Sequence, residues 1–242
     1  MQNDKINFSL IIPIGLMLFS FFFGAGNLIF PPVLGQMAGE NIGWGMLGFC
    51  LSGVGFPLLG VLAMAMKQSD NPDSIAMPMH PLYARAVTIL CALAIGPLFA
   101  IPRTAAVSFD TGIHSLLPAS CEAIGLPVYT VFFFILTYFF SINPSKIIGH
   151  IGKFLSPMLL ICLAVLVVCV FVNPTGSLKM PNPDFAASPF FRGFQEGYNT
   201  MDLLAAILFG SITIKAIEAQ GITDKKVLTK LCSYAGLIAA FF

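Results

Sequence analysis

An all-α integral membrane protein, a polytopic helical bundle, is the fold class this sequence predicts, and three observations predict it. Charge is scarce: of 242 residues 57% are hydrophobic and only 10% charged, with a mean hydropathy of +0.89. A soluble domain carries roughly a quarter charged residues because its surface must face water, and here there is too little charge to cover a globule. The apolar residues also come in runs of about 20, the length a helix needs to cross the hydrocarbon. Finally, 22 Gly and 17 Pro punctuate those runs, so the helices are repeatedly bent or broken.

Taken in order, the runs give spans at residues 8–31, 43–66, 82–117, 126–141, 146–172, 191–217 and 226–242 of a single membrane domain, 1–242. The third must tilt or project beyond the bilayer, and the fourth is short. The seventh is still apolar at Phe242, where about 15 residues are too few for a full crossing, so the natural protein is expected to continue past a fragment like this. With the N-terminus in the cytoplasm, the inside segments hold Lys5, Lys67, Arg85, Lys146, Lys153, Lys215, Lys225, Lys226 and Lys230, and the outside ones only Lys179 and Arg192. The positive-inside rule therefore places the N-terminus inside.

Several classes are excluded. A net charge of +1 argues against nucleic acid as a partner; the partner is the lipid bilayer. The six cysteines, Cys50, Cys91, Cys121, Cys162, Cys169 and Cys232, fall singly, which suits apolar filler rather than zinc or disulfides. The first run is too long for a cleaved signal peptide. No Ser-His-Asp set, metal cluster or phosphate loop stands in a credible setting, so no enzyme and no cofactor is expected.

Where the helices break is more informative. Phe22-Phe23-Gly24-Ala25-Gly26-Asn27 lies inside the first span. Each glycine weakens a helix by about 1 kcal/mol relative to Ala, and Asn27 sets an amide at membrane depth. Non-helical backbone survives there only when buried in protein or lining a cavity. Opened, the helix offers carbonyls to a cation and N–H groups to a carboxylate; a close-packing notch is the other reading. A second polar interruption, Glu196-Gly197-Tyr198-Asn199-Thr200-Met201-Asp202, is either a loop end with Asp202 as N-cap or an unwound middle. Two Gly-interrupted spans in one chain point to a midplane transport site. In the third span Arg103 needs a partner, with Asp110 or Asp202 as candidates, or else it snorkels to the headgroups.

Four stretches carry a resemblance: residues 21–32 (FFFGAGNLIFPP), 47–60 (LGFCLSGVGFPLLG), 96–110 (GPLFAIPRTAAVSFD) and 197–210 (GYNTMDLLAAILFG). On them the chain resembles the branched-chain amino acid:cation symporters, the leucine/isoleucine/valine carriers of bacteria, whose members are about twice as long. The resemblance implies the inverted-repeat amino acid–polyamine–organocation (LeuT-like) fold, here its first repeat plus the start of the second, broken in helices 1 and 6. It implies symport of a branched-chain amino acid with Na+ or H+ across the bacterial inner membrane, with no other cofactor and homo-oligomerisation left open. By the same likeness, Gly24, Ala25 and Gly26 would meet the substrate carboxylate. Tyr198, Asn199, Thr200 and Met201 would meet its ammonium and side chain, and Thr104 would face the same cavity. Ser20, Phe22, Phe23 and Asn27 would hold the cation, with Arg103 and Asp202 as gate or cavity charges. Transport of another small solute on the same fold, or a channel or receptor, are the alternatives.

Overall fold

A computed structural model describes residues 8–118, 122–142, 155–173, 176–222 and 224–242. Lys5, Cys121, Lys146, His150, Lys153 and the first part of the fifth expected span lie outside the described residues. Those described form helices and connecting turns: α1 (Phe8–Phe22), α2 (Ala25–Ala38), α3 (Ile42–Cys50), α4 (Phe56–Lys67), α5 (Pro81–Leu93), α6 (Ala100–Gly112), α7 (Glu122–Ser141), α8 (Ser156–Val172), α9 (Pro183–Ala187), α10 (Pro189–Asn199), α11 (Asp202–Glu218) and α12 (Lys225–Phe241).

The first expected span is two helices. α1 ends at Phe22, and α2 runs past Pro31 and Pro32 to Ala38, seven residues beyond the expected end. Those prolines are the seventh and eighth residues of a helix that restarts at Ala25, and each removes a ladder hydrogen bond without ending it. At Gly39, φ +49° lies in the left-handed region, and a Cβ there would strike the Lys179 carbonyl. The chain reverses at this point: Gly45 packs on Leu34 and Ala38, contacts that 11 residues of straight helix, about 16 Å, would forbid. Residues of the 179–188 segment strap this end of α2, with Asn182 N–H donating to the Met37 carbonyl at 2.9 Å and Glu40 N–H to the Lys179 carbonyl at 3.2 Å.

α3 and α4 are one span joined by a π-turn, Leu51–Gly55. α10 and α11 are the two halves of another, bent by 44° at a short break. The two spans pack side by side along their length. In the upper half the backbones touch: a Cβ on Gly48 would meet Phe190 and Phe194, one on Gly193 would meet Gly45, and one on Gly197 would meet Ser52 and Phe49. Small residues spaced four apart, Gly193 and Gly197 against Gly48 and Ser52, permit this approach. The Ser52 hydroxyl donates to the Phe194 carbonyl at 2.6 Å. In the lower half Gly60 faces Ala206, and Gly210 faces Val61 and Met64. Gly45, Gly48 and Ser52 thus point the same way as Gly60, Val61 and Met64. A continuous α-helix would set the two groups about 130° apart, and the extra residue of the π-turn brings them to within about 35° of each other.

The core gathers Leu18, Val61, Met64, Ile214, Ile217 and Leu231 from α1, α4, α11 and α12. α5 to α8 are different, with apolar residues such as Leu90, Phe132, Phe139 and Phe171 exposed. Soluble monomers rarely expose apolar patches above a few hundred Å², so this surface is unsuited to water and fits a membrane protein. The third expected span is the 32-residue stretch Pro81–Gly112, kinked at Gly96 (ψ −115°) ahead of Pro97.

Candidate functional site

The α1 break begins with a lost ladder bond. Phe23 N–H still donates to the Phe19 carbonyl at 2.8 Å, but Gly24 N–H turns to Asn27 Oδ1 at 3.2 Å. The Ser20 carbonyl loses its helical donor, as the last carbonyls of any helix do. Gly24 is extended, φ −109° and ψ −172°, and caps α2. Further along, Pro31 and Pro32 have no N–H, so the carbonyls of Asn27 and Leu28 also lose their partners.

At the other break Met201 takes φ +69° and ψ +10°, and α11 restarts with Asp202, its first residue and not its N-cap. Gly197 is not where the helix opens. It lies inside α10, buried against Ser52 and Gly53, so the glycine serves packing and the opening falls at Thr200 and Met201. The Thr200 hydroxyl bonds back to the Gly197 carbonyl at 2.7 Å.

The two breaks meet. Asn27 Nδ2 donates to Asp202 Oδ2 at 2.8 Å, and Asp202 is only 6% exposed. Asn27 thus bridges its own cap and a carboxylate of the other broken helix. Beside the bridge lies a cavity of about 140 Å³ lined by Phe22, Phe23, Asn27, Gly53, Pro57 and Asp202, and closed by α12. Its walls are apolar apart from Asn27 and Asp202. Gly53 and Pro57 sit in residues 47–60, but only the π-turn explains why they reach this depth.

On the opposite side of Asn27, Arg103 arrives from α6. Its Nη1 donates to the Asn199 carbonyl at 3.0 Å and its Nη2 to the Thr200 carbonyl at 3.2 Å. These carbonyls close α10, where the helix dipole is negative. The guanidinium also lies 5.6 Å from the Phe30 ring centre. A Cβ added to buried Gly26 would stand 3.2 Å from Arg103 Nη2, 3.2 Å from Thr200 Cα and 3.3 Å from Phe30. Arg103 thus spends its hydrogen bonds on backbone and not on Asp110 or Asp202, although its charge reaches Asp202, and it does not snorkel. Sequence reasoning sought a carboxylate because side chains are visible in a sequence and free carbonyls are not.

Other candidates sit less centrally. The Thr104 hydroxyl donates to its own helix, at the Ala100 carbonyl, 2.8 Å away, and the residue is exposed. The Ser20 hydroxyl turns to Ser156 of α8 at 2.6 Å. Tyr198 is 48% exposed, and the Asn199 amide faces Glu196 at 3.4 Å. Ala25 opens α2 next to Gly26. Among the described residues no His, Cys, Asp and Glu cluster could hold a metal ion, and Cys50, Cys91, Cys162, Cys169 and Cys232 are free thiols.

These features define a helical membrane protein organised around two discontinuous helices that meet at one depth. Residues 8–242 match the profile described as branched-chain amino acid transport protein, and the chain belongs to that family. It is 45% identical over 239 residues to the branched-chain amino acid permease BrnQ of Bacillus subtilis, covering 99% of this chain and 54% of that protein. It is 43% identical to the permease BraB of the same organism, over 95% of this chain and 51% of the relative. The branched-chain amino acid transport system 3 carrier protein of Pseudomonas aeruginosa is 39% identical, over 95% of this chain and 52% of its own length. The chain thus spans about half the length of these relatives. No solved structure matches it.

Proposed function

We propose that the full-length protein is a secondary active symporter that carries leucine, isoleucine and valine together with sodium or a proton. It would work by alternating access around the two broken helices, in a bacterial plasma membrane with its N-terminus in the cytoplasm. The names of the relatives, permeases and carriers for branched-chain amino acids, support the substrate class. The paired breaks support the inverted-repeat fold of amino acid–polyamine–organocation transporters, each break opening the first helix of a repeat.

The observation that carries the coupling is the buried Asn27–Asp202 bridge. A carboxylate withdrawn from water is costly unless its charge is matched. Among the described residues Asp202 Oδ2 takes a neutral amide donor from Asn27 and feels the Arg103 charge while that guanidinium spends its hydrogen bonds on the Asn199 and Thr200 carbonyls, so a bound cation or proton would complete the match. The side-chain oxygens of Asn27 and Asp202 at the adjoining cavity would begin an oxygen cage suited to sodium; a proton on Asp202 would neutralise it equally well. Gly24, Ala25 and Gly26 carry the N–H groups that open α2 and would receive the substrate carboxylate, while the α10 carbonyls at Asn199 and Thr200 would receive the ammonium.

The test is uptake of labelled leucine by the full-length protein in proteoliposomes, under an imposed inward sodium gradient, an imposed proton gradient, or neither. Accumulation driven by one of the gradients is expected and names the ion. Equal uptake in all three would overturn the coupling.

A further inference from the structure

We propose that Arg103 is a built-in substitute for the substrate ammonium: it occupies the α10 carbonyls when the site is empty and passes to the substrate carboxylate when an amino acid enters. This rests on the reading of the site as one for amino acids, and it adds a role for Arg103 which that reading does not contain.

Three features carry it. First, Arg103 spends two donors on the Asn199 and Thr200 carbonyls, which shows that the negative end of α10 takes a cation. Second, the same guanidinium stands beside Gly26 in the first turn of α2, where unpaired N–H groups and the positive end of the helix dipole favour an anion. The cation is therefore well placed toward one half-helix and badly placed toward the other. Third, Arg103 Nε is buried with no hydrogen-bond partner. A guanidinium binds a carboxylate through two parallel N–H donors, and Nε with the adjacent Nη forms such an edge. A zwitterion satisfies all three at once. Its ammonium takes the α10 carbonyls, its carboxylate lies against the α2 N–H groups, and Arg103 turns its free edge to that carboxylate. The exchange keeps a cation on the α10 carbonyls and sets the carboxylate between the α2 N–H groups and Arg103.

The experiment measures binding of leucine and of its two half-ligands to purified full-length protein. Isopentylamine keeps the ammonium and isocaproate keeps the carboxylate. In Arg103→Gln, leucine and isocaproate should each weaken by about 10-fold or more, the loss of a charge-assisted pair. Isopentylamine should hold its affinity or tighten, because its carbonyls have been vacated. A merely structural Arg103 would instead weaken all three together, and that result overturns the proposal, as does unchanged leucine and isocaproate binding. If Arg103→Gln does not fold, Arg103→Lys keeps a charge for the carbonyls but lacks the forked edge. It should then lose isocaproate and spare isopentylamine, and the reverse order refutes the exchange. Wild-type protein that binds no leucine overturns the amino acid reading together with this one. Leucine binding that survives Arg103→Gln overturns only the role of Arg103.

Discussion

At the first break an extended Gly24 is capped by Asn27 of its own helix, three residues on. At the second, Met201 is left-handed, and the carbonyls before it are capped by Arg103 from a different span. One opening is closed by its own sequence and the other by tertiary contact. The φ of −109° at Gly24 is open to any residue, and an added Cβ would find its nearest neighbours at 3.9 and 4.0 Å. Met201 is the strained position, since the left-handed conformation costs an L-residue roughly 1–2 kcal/mol. The first break should therefore persist whatever the third span does, whereas the second depends on where Arg103 points.

The largest effect should come from the place where the breaks touch. Gly26→Leu is expected to lower leucine uptake by about 100-fold or more, the scale on which misplacing a site by an ångström acts, with membrane insertion unchanged. Even the first carbon of that side chain presses on Arg103, Thr200 and Phe30. Uptake and the membrane-inserted fraction of the full-length variant are the measurements, and normal uptake would mean that the two openings do not cooperate.

Asn27→Ala should come next. It strands both the Gly24 N–H and the Asp202 carboxylate, and should cost about 2 kcal/mol or more in stability, read by thermal denaturation in detergent. A change near zero would separate the breaks energetically.

The smallest effects should divide by break. Gly24→Ala should stay within about 0.5 kcal/mol, and Met201→Ile should lose about 1 kcal/mol because a β-branched residue resists a positive φ. Met201→Gly should not show that loss. If Gly24→Ala proves the costly change, the assignment of self-closed and externally closed breaks is reversed.

Much of this was readable in advance, and the limits have physical causes. The spans follow from runs of apolar residues measured against bilayer thickness, and the break at Gly24 follows from two closely spaced glycines. The second opening falls at Thr200 and Met201, inside the expected Tyr198–Asp202; Gly197 just before it marks where two backbones meet, because absent side chains serve packing as readily as bending. Met201 carries no local sign of a left-handed turn; neighbours hold it there, through Asn27 on Asp202 and Arg103 on the preceding carbonyls. Asn27 and Arg103 themselves stood out as polar groups in apolar surroundings. What they bind could not be read, since one partner is 175 residues away and the other is main chain.

The π-turn at Leu51–Gly55 has a consequence for how this chain can vary. Because that one added residue sets the angular phase of everything after it, substitutions and length changes there are not equivalent. Loss of a single residue between 51 and 55 would spin the lower half of the span by about 100°. Gly60, Val61 and Met64 would turn toward lipid, and bulkier neighbours would face Ala206 and Gly210. With Ser52 and Gly53 kept small for the contact with α10, the segment can exchange its other letters, but it cannot change their number.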